Sequence, residues 1–538
     1  MPDQEQKKIV ILIAAKLIML LLLPFYIYFR IDFILFDDIA LSARIFSTIV
    51  FLVELYFVIQ MYGYLLNVSR AIKTYPAIAR SLHKKNPEKQ PKVGVFIPVY
   101  NEPVDVVEET ILAAKRMTYE NKEVLVLDDS DATGTEEEID GLAKRHAIGV
   151  MRRTNRIGFK AGCLNDTIAK TDCDYVVVLD ADQQPESDFL SEVIPMMEGD
   201  GKLAYIQTPQ SVRKASGNES GFIETAASAA QHVFYHYICE GKGTVNAQFS
   251  CGSNVVYRRK ALEDLARMEG ARIVYFDEWC ITEDFATSIL LHEKGWKSAY
   301  YTGTCARGLV PADLDSLNSQ RRRWAVGTMT AFWRYLPKVL FGNFSLRQRW
   351  EYIVSGTYFL LGIANFLMLL NVMLLILYEV PAYSLLPFIL FLSNTLVFYY
   401  SQNFRGNRPL DLFYEQIINF FMFPLYIEAF LIALLGRKTT FWVTPKTKGS
   451  LLQPKMPGLI MQKVALSSSV LVFFIGIGKY LTGGSSYILL NLIWMAYCIA
   501  LLGAGLFLIN RQCEADFQKK KSRAILPHLF GEGPVWNA

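Results

Sequence analysis

Val176-Val177-Val178-Leu179-Asp180-Ala181-Asp182 is a run of β-branched and aliphatic residues that ends in two carboxylates. A continuous apolar run, as opposed to an alternating one, reads as a strand buried on both faces of a mainly parallel sheet. Open α/β sheets bind ligands where such strands end. Asp180 and Asp182, one residue apart at that edge, can hold a hard divalent cation through oxygen and leave its other positions to a diphosphate. A solvated strand end is the alternative reading of the pair taken alone.

Outward from this stretch, Lys92 to Tyr100, Glu123 to Leu127 and Leu203 to Gln207 also read as strands, with helical patterns such as Val104 to Arg116 between them. That alternation predicts a doubly wound, mixed but mainly parallel sheet over residues 84–338. No G-x-G-x-x-G follows the first strand, which argues against a dinucleotide oxidoreductase.

The chain of 538 residues is 52% hydrophobic, too long for one core and too apolar for an ordinary cytosolic enzyme. Its formal charge of +4 is small for that length, and no basic block interleaved with aromatics suggests nucleic acid. The eight cysteines form neither a C-x-x-C pair nor an even framework, so zinc and disulfides are not implied.

Ile9 to Phe29 and Ile45 to Val68 are apolar runs interrupted only by Lys16 and Glu54. Each can cross a bilayer core of about 30 Å as a helix. The first is too long for a signal peptide and lacks a small-residue cleavage site. Lys7 and Lys8 place the N-terminus inside, and two crossings return the chain to the cytoplasm. Tyr352 to Tyr378 with Ala382 to Ser401, and Gln462 to Leu481 with Tyr487 to Ile509, read as two further pairs. Glu415, Glu428 and Pro424 interrupt Asp411 to Leu435. Charge inside lipid is expensive, so this segment is expected to lie as an amphipathic helix at the cytoplasmic interface. Six crossings then leave Lys519, Lys520, Lys521 and Arg523 inside, and the external loop Glu379 to Pro381 carries no Lys or Arg. The expected organisation is a membrane region over 1–83, a cytosolic α/β unit over 84–338, a second membrane region over 339–510 and a cytosolic tail over 511–538.

Five further clusters carry candidate chemistry. The first strand ends at Tyr100-Asn101-Glu102 and the second at Asp128-Asp129-Ser130, where acids and amides can bond a ribose or base. Such residues also favour turns for local reasons. Gly158-Phe159-Lys160-Ala161-Gly162 puts a lysine at a helix start, which suits a phosphate; a surface lysine is the alternative. Thr282-Glu283-Asp284 offers adjacent carboxylates. In a pocket that already holds Asp180 and Asp182, repulsion would raise one proton affinity toward general-base work. Equally, Thr282 or Asp284 suits a cap for the helix Phe285 to His292. In Gln320-Arg321-Arg322-Arg323-Trp324, an arginine can grip a pyrophosphate and the indole can stack on a sugar; an interfacial Arg/Trp helix is the other reading.

Asp128-Asp129, Asp180-x-Asp182, Thr282-Glu283-Asp284 and Gln320-x-x-Arg323-Trp324, in this order between membrane spans, resemble the D, DxD, TED, QxxRW signature of processive family-2 glycosyltransferases, most of all cellulose synthases and cellulose-synthase-like enzymes. Gln207-Thr208-Pro209 and Ser250-Cys251-Gly252-Ser253 support the likeness, and Phe441-Trp442-Val443-Thr444-Pro445-Lys446 resembles that family's gating loop, here 441–449. The resemblance implies a GT-A fold in the plasma membrane that takes sugar from a UDP-sugar with Mg2+ or Mn2+, inverts the anomeric carbon and passes a growing β-glycan through the spans.

Carried over by position, Asp128 or Asp129 would contact uridine, Lys160 the phosphates, and Asp180 with Asp182 the metal diphosphate. Glu283 stands beside Asp284, the base; Gln320 and Arg323 belong to the motif whose arginine holds the pyrophosphate, and Trp324 would stack on the acceptor. Tyr100 and Glu102 would border the nucleotide, over which Thr444 and Lys446 would close. Ser130, Cys163 and Gln183 depart from the family pattern and leave the linkage open. With fewer than about thirty residues after Ile509, no cyclic-di-GMP-sensing barrel is expected there. The leading expectation is a β-glucan synthase using UDP-glucose, working with accessory secretion proteins or as a homo-oligomer. The alternatives are a mannan or glucomannan synthase using GDP-mannose, a lipid glycosyltransferase, and a non-enzymatic export channel or scaffold.

Overall fold

In the computed structural model, residues 2–36, 40–82, 85, 90–213, 221–378, 400, 408–436 and 459–529 are described. Val176, Val177 and Val178 lie in a strand whose neighbours explain why the run is apolar throughout. Val177 belongs to one buried cluster, with Val95, Ile97, Val193 and Val256. Val176 and Val178 belong to another on the opposite face, with Phe96, Leu164 and Tyr205. Successive side chains of a strand point to opposite faces, so covering both leaves no polar position. Each such side chain stabilises the fold by about 1.5–3 kcal/mol.

The sheet has seven strands: β1 (Val93–Val99), β2 (Lys122–Asp128), β3 (Gly149–Met151), β4 (Tyr175–Val178), β5 (Leu203–Gln207), β6 (Val255–Arg258) and β7 (Lys297–Tyr300), in the order β7-β5-β6-β4-β1-β2-β3. β1 pairs in parallel with β2 and β4, β2 with β3, and β5 with β7, whereas β6 runs antiparallel between β4 and β5. The sheet is therefore mixed, and the four expected strands are β1, β2, β4 and β5. The reversal of β6 matters for the site. Val178 at the end of β4 faces Val255 at the start of β6, so the loop before β6 reaches the edge where β1, β2 and β4 end.

Helix Glu283–Glu293 and helix Leu314–Phe341 follow, and a small sheet of Gln184–Pro185, Ala306–Gly308 and Gln210–Val212 folds over the same edge. Where the α/β unit meets the membrane-type helices, the buried Glu351 accepts from Asn67 Nδ2 at 2.8 Å and Arg70 Nη1 at 2.5 Å, with Lys242 Nζ 3.5 Å away.

Among the described residues four helices are long and apolar enough to cross a membrane: Leu41–Lys73, Leu346–Tyr378, Ile460–Leu481 and Tyr487–Ala515. They contain four of the six expected crossings. The first expected crossing, Ile9 to Phe29, lies within the helix Pro2–Phe36. Ala382 to Ser401 lies outside the described residues apart from residue 400. Asp411 to Leu435 departs from the single helix expected: Pro409–Phe421 and Phe423–Leu434 meet at a 49° bend, and counting the pair as one span gives five. Pro424 sits in the first turn of the second helix, where its missing N–H costs nothing, and so marks the break.

Candidate active site

β2 and β3 are parallel and in register, with Leu127 opposite Met151. One step further this sets Asp128 against Arg152 and Asp129 against Arg153. Arg152 Nε donates to Asp128 at 2.9 Å, and Arg153 grips Asp129 from Nε at 2.8 Å and Nη2 at 2.5 Å. Both acids are thus held in place by charge-assisted bonds. Arg156 stacks 3.9 Å over the Tyr100 ring and pairs with Asp131, to which the Tyr100 hydroxyl also donates. Glu102 accepts from the Tyr100 amide at 2.5 Å, which makes it a turn lock at this place. Arg152, Arg153 and Arg156 were not singled out in the sequence; two arginines just past one strand, matching two aspartates at the end of its neighbour, are the signal that could have found them.

Lys160 stands in the first turn of the helix Phe159–Lys170. Its ammonium lies 2.6 Å from Asp180 Oδ1 and 2.7 Å from the Gly252 carbonyl. Asp180 is fixed by its own amide donating to Ser253 Oγ at 2.8 Å, and Asp182, 3% exposed, accepts from the Leu309 amide at 2.9 Å. Gln183 accepts from Asn254 Nδ2 at 3.0 Å. The loop before β6 therefore holds both ends of the Asp180–Gln183 turn, with Gln207 bonding the Ser253 carbonyl and the Cys251 amide.

These residues fit an oxygen-bound divalent cation: two carboxylates stand one residue apart at the strand end, with the Lys160 ammonium against Asp180 and the Leu309 amide placing Asp182. Among the described residues no group of three His, Cys, Asp or Glu could hold a metal, so two carboxylates would need the diphosphate to complete the shell.

Gly252 joins this part of the site to the next. Its φ is +76°, a conformation that costs L residues about 1–2 kcal/mol, and a Cβ there would stand 2.8 Å from Asp284 Oδ2. Asp284 begins the helix Glu283–Glu293, and its Oδ1 accepts from the Phe285 amide at 2.8 Å. Thr282 makes no side-chain cap bond, so the capping expectation fails for the threonine, whose side chain is pressed against Gly327 of the neighbouring helix.

Burial, and then the neighbouring Glu283, push the Asp284 carboxyl up to about 7, against the pull of the Phe285 amide, Lys160 and Arg323. Burial raises Glu283 as well. Arg323 is near enough for its charge to act on both acids, while Trp324 packs against an apolar cluster of membrane-type helices that includes Ile417, Tyr426 and Leu501. Gln320 is half-buried one turn earlier on the same helix. Thr444 and Lys446, with the rest of 441–449, lie outside the described residues.

A mixed sheet whose strand ends gather these acids and cations is the GT-A architecture, and residues 94–266 match the family described as Glycosyl transferase family 2. That match lies within the α/β unit and covers β1 to β6. The chain is 29% identical over 329 residues to the cellulose synthase 1 catalytic subunit (UDP-forming) of Komagataeibacter xylinus, covering 60% of this chain and 39% of that one. It is 33% identical over 252 residues to the cellulose synthase catalytic subunit (UDP-forming) of Pseudomonas fluorescens strain SBW25, covering 46% and 32%. It is also 26% identical over 457 residues to cellulose synthase 2 of Novacetimonas hansenii, covering 81% and 27%. The chain thus spans less than two fifths of each of these relatives. Among solved structures, a mannosyltransferase from Pyrobaculum calidifontis in complex with GDP-Man and Mn2+ aligns with a TM-score of 0.47 at 16% identity, covering 71% of this chain and all of that one. The chain is thus similar to cellulose synthase catalytic subunits over part of their length, and the stretch that matches the family-2 glycosyltransferase model lies between membrane-type helices.

Proposed function

We propose that this protein is a processive inverting glycosyltransferase that polymerises a β-glucan from UDP-glucose and moves the product across the plasma membrane, with its α/β unit on the cytoplasmic side. The observation that carries this reading is the meeting at Gly252. Its carbonyl takes the Lys160 ammonium that also binds Asp180, and a Cβ on it would stand 2.8 Å from Asp284 Oδ2. A group that suits a diphosphate and a group that suits a proton acceptor thus flank one residue.

In this reading Arg156 and Tyr100 border the base, and Lys160 with Arg323 bind the diphosphate oxygens and stabilise the charge that grows as UDP leaves. A Mg2+ or Mn2+ ion held by Asp180 and Asp182 would add Lewis-acid stabilisation of that leaving group. Asp284 Oδ2 takes the proton from the acceptor hydroxyl, on the side opposite the departing diphosphate, which inverts the anomeric carbon. Its oxygen is basic enough for this near neutrality because burial disfavours its charge. Trp324, between the domain and the membrane-type helices, is the platform on which the acceptor sugar stacks.

The test is to incubate purified full-length protein in detergent or vesicles with UDP-glucose, other UDP-sugars or GDP-mannose, each with Mg2+, Mn2+ or chelator. Metal-dependent, ethanol-insoluble product from UDP-glucose that a β-glucanase digests supports the reading. Product from GDP-mannose alone, or only short solvent-extractable product, overturns it.

A further inference from the structure

Three successive arginines, Arg321, Arg322 and Arg323, stand on the helix Leu314–Phe341 just before Trp324. A helix turns about 100° per residue, so three neighbours cannot face one ligand. Arg323 acts by its charge on Glu283 and Asp284. The other two point to the bent helix pair. Arg321 is 8% exposed, its guanidinium lies 5.5 Å over the Trp324 ring, and Tyr358, Tyr426 and Glu415 surround it. Among the described residues its Nε has no hydrogen-bond partner, and the Tyr426 side chain interacts with the guanidinium from the bent helix pair. Arg322 Nη2 donates to Glu428 at 2.5 Å on the second helix of the bent pair. A guanidinium over an indole face is attracted by the ring's electron-rich surface, and it fixes the plane of the ring as well as its position.

We propose that Arg321 and Arg322 are positioning residues that brace the Trp324 indole against the bent helix pair Pro409–Phe421 and Phe423–Leu434, and so set how the acceptor sugar is presented to Asp284. The proposal rests on the reading of Trp324 as the acceptor platform and adds to it what holds the platform still. Both guanidinia are engaged within the protein, by Trp324 and Tyr426 and by Glu428. Their loss disturbs elongation and spares the donor site.

The experiment measures polymer formation and UDP release without polymer, side by side, on full-length protein that elutes as a single species. Arg321→Lys keeps the charge and loses the planar stack. It is expected to lower elongation about tenfold while UDP-glucose hydrolysis stays within about twofold. In a Trp324→Ala background the same substitution is expected to change elongation less than about twofold, because coupled residues are not additive.

Equal loss of both activities, or effects of the two substitutions that multiply, overturns the proposal. A second pair does not depend on Arg321→Lys folding. Glu428→Arg should shorten the product, and adding Arg322→Glu should restore its length; failure of the swap to restore it overturns the brace. Normal elongation by Trp324→Ala alone would instead sink the reading of the indole, with the swap still deciding the brace.

Discussion

Two buried acidic sites in this molecule differ in what surrounds them. Glu351, at the junction with the membrane-type helices, is 0% exposed and has Arg70 at 2.5 Å, Asn67 at 2.8 Å and Lys242 at 3.5 Å. Asp284, half-buried beside the buried Glu283, has one backbone amide at 2.8 Å, while Lys160 and Arg323 act on it only more weakly. A buried carboxylate with matched cations is a fastening, because its charge is already paid for locally. A buried carboxylate beside another acid is poised to take a proton, and strongly perturbed groups of that kind cluster where chemistry is done.

The largest expected effect that separates the two sites is on transfer. Asp284→Asn should lower glycosyl transfer by about 10²–10⁴-fold, the range of a lost general base, with UDP affinity changed less than about twofold. Isothermal titration beside radiolabel incorporation reads both, and equal loss of both would remove Asp284 from that role. The same variant has a signature in stability. The folded state keeps the Asp284 proton up to about 7, whereas an ordinary aspartate releases it near 3.8, so stability falls as pH rises between those values and the variant should lose that slope.

Glu351→Ala should do the reverse. It leaves Arg70 and Lys242 without their partner and should cost about 3–5 kcal/mol of stability, seen as a lower thermal midpoint in detergent, with activity per folded molecule retained. Lost activity without lost stability would dissolve the contrast.

Gly252→Ala puts a methyl group 2.8 Å from Asp284 Oδ2 at a φ of +76°. It should reduce transfer by about tenfold, in line with about 1–2 kcal/mol of strain. Unchanged transfer would mean that the loop yields freely. The smallest effect belongs to Glu283→Gln. Removing the neighbouring acid should move the acid limb of the pH–rate profile to lower pH, and an upward move would contradict the direction of the Glu283 effect on Asp284.

Much of this was legible in the sequence, for reasons that differ by element. The run Tyr175–Val178 announces itself because both faces are covered, and its carboxylates were expected at the strand end where they lie. Val255–Arg258 was missed because it is four residues long and preceded by Ser250 to Asn254, and its reversed direction is a property of pairing that no local pattern carries. Asp128 and Asp129 were legible as candidates, but their arginine partners come from another strand, through a register visible only once β2 and β3 are side by side. The interruption at Pro424 was read as polarity within one interfacial helix, whereas it sets a 49° bend between two.

The central claim is that a buried carboxyl, held near neutrality by desolvation and an acidic neighbour, accepts the proton of the acceptor sugar. The rate of polymer formation at low acceptor and saturating donor, followed from about pH 5 to pH 9, tests it most directly. The base form is populated above its pKa, so the rate should fall about tenfold per pH unit on the acid side of a midpoint at about 7, while UDP binding stays level. A rate that is flat across that midpoint, with nucleotide binding unchanged, would contradict it.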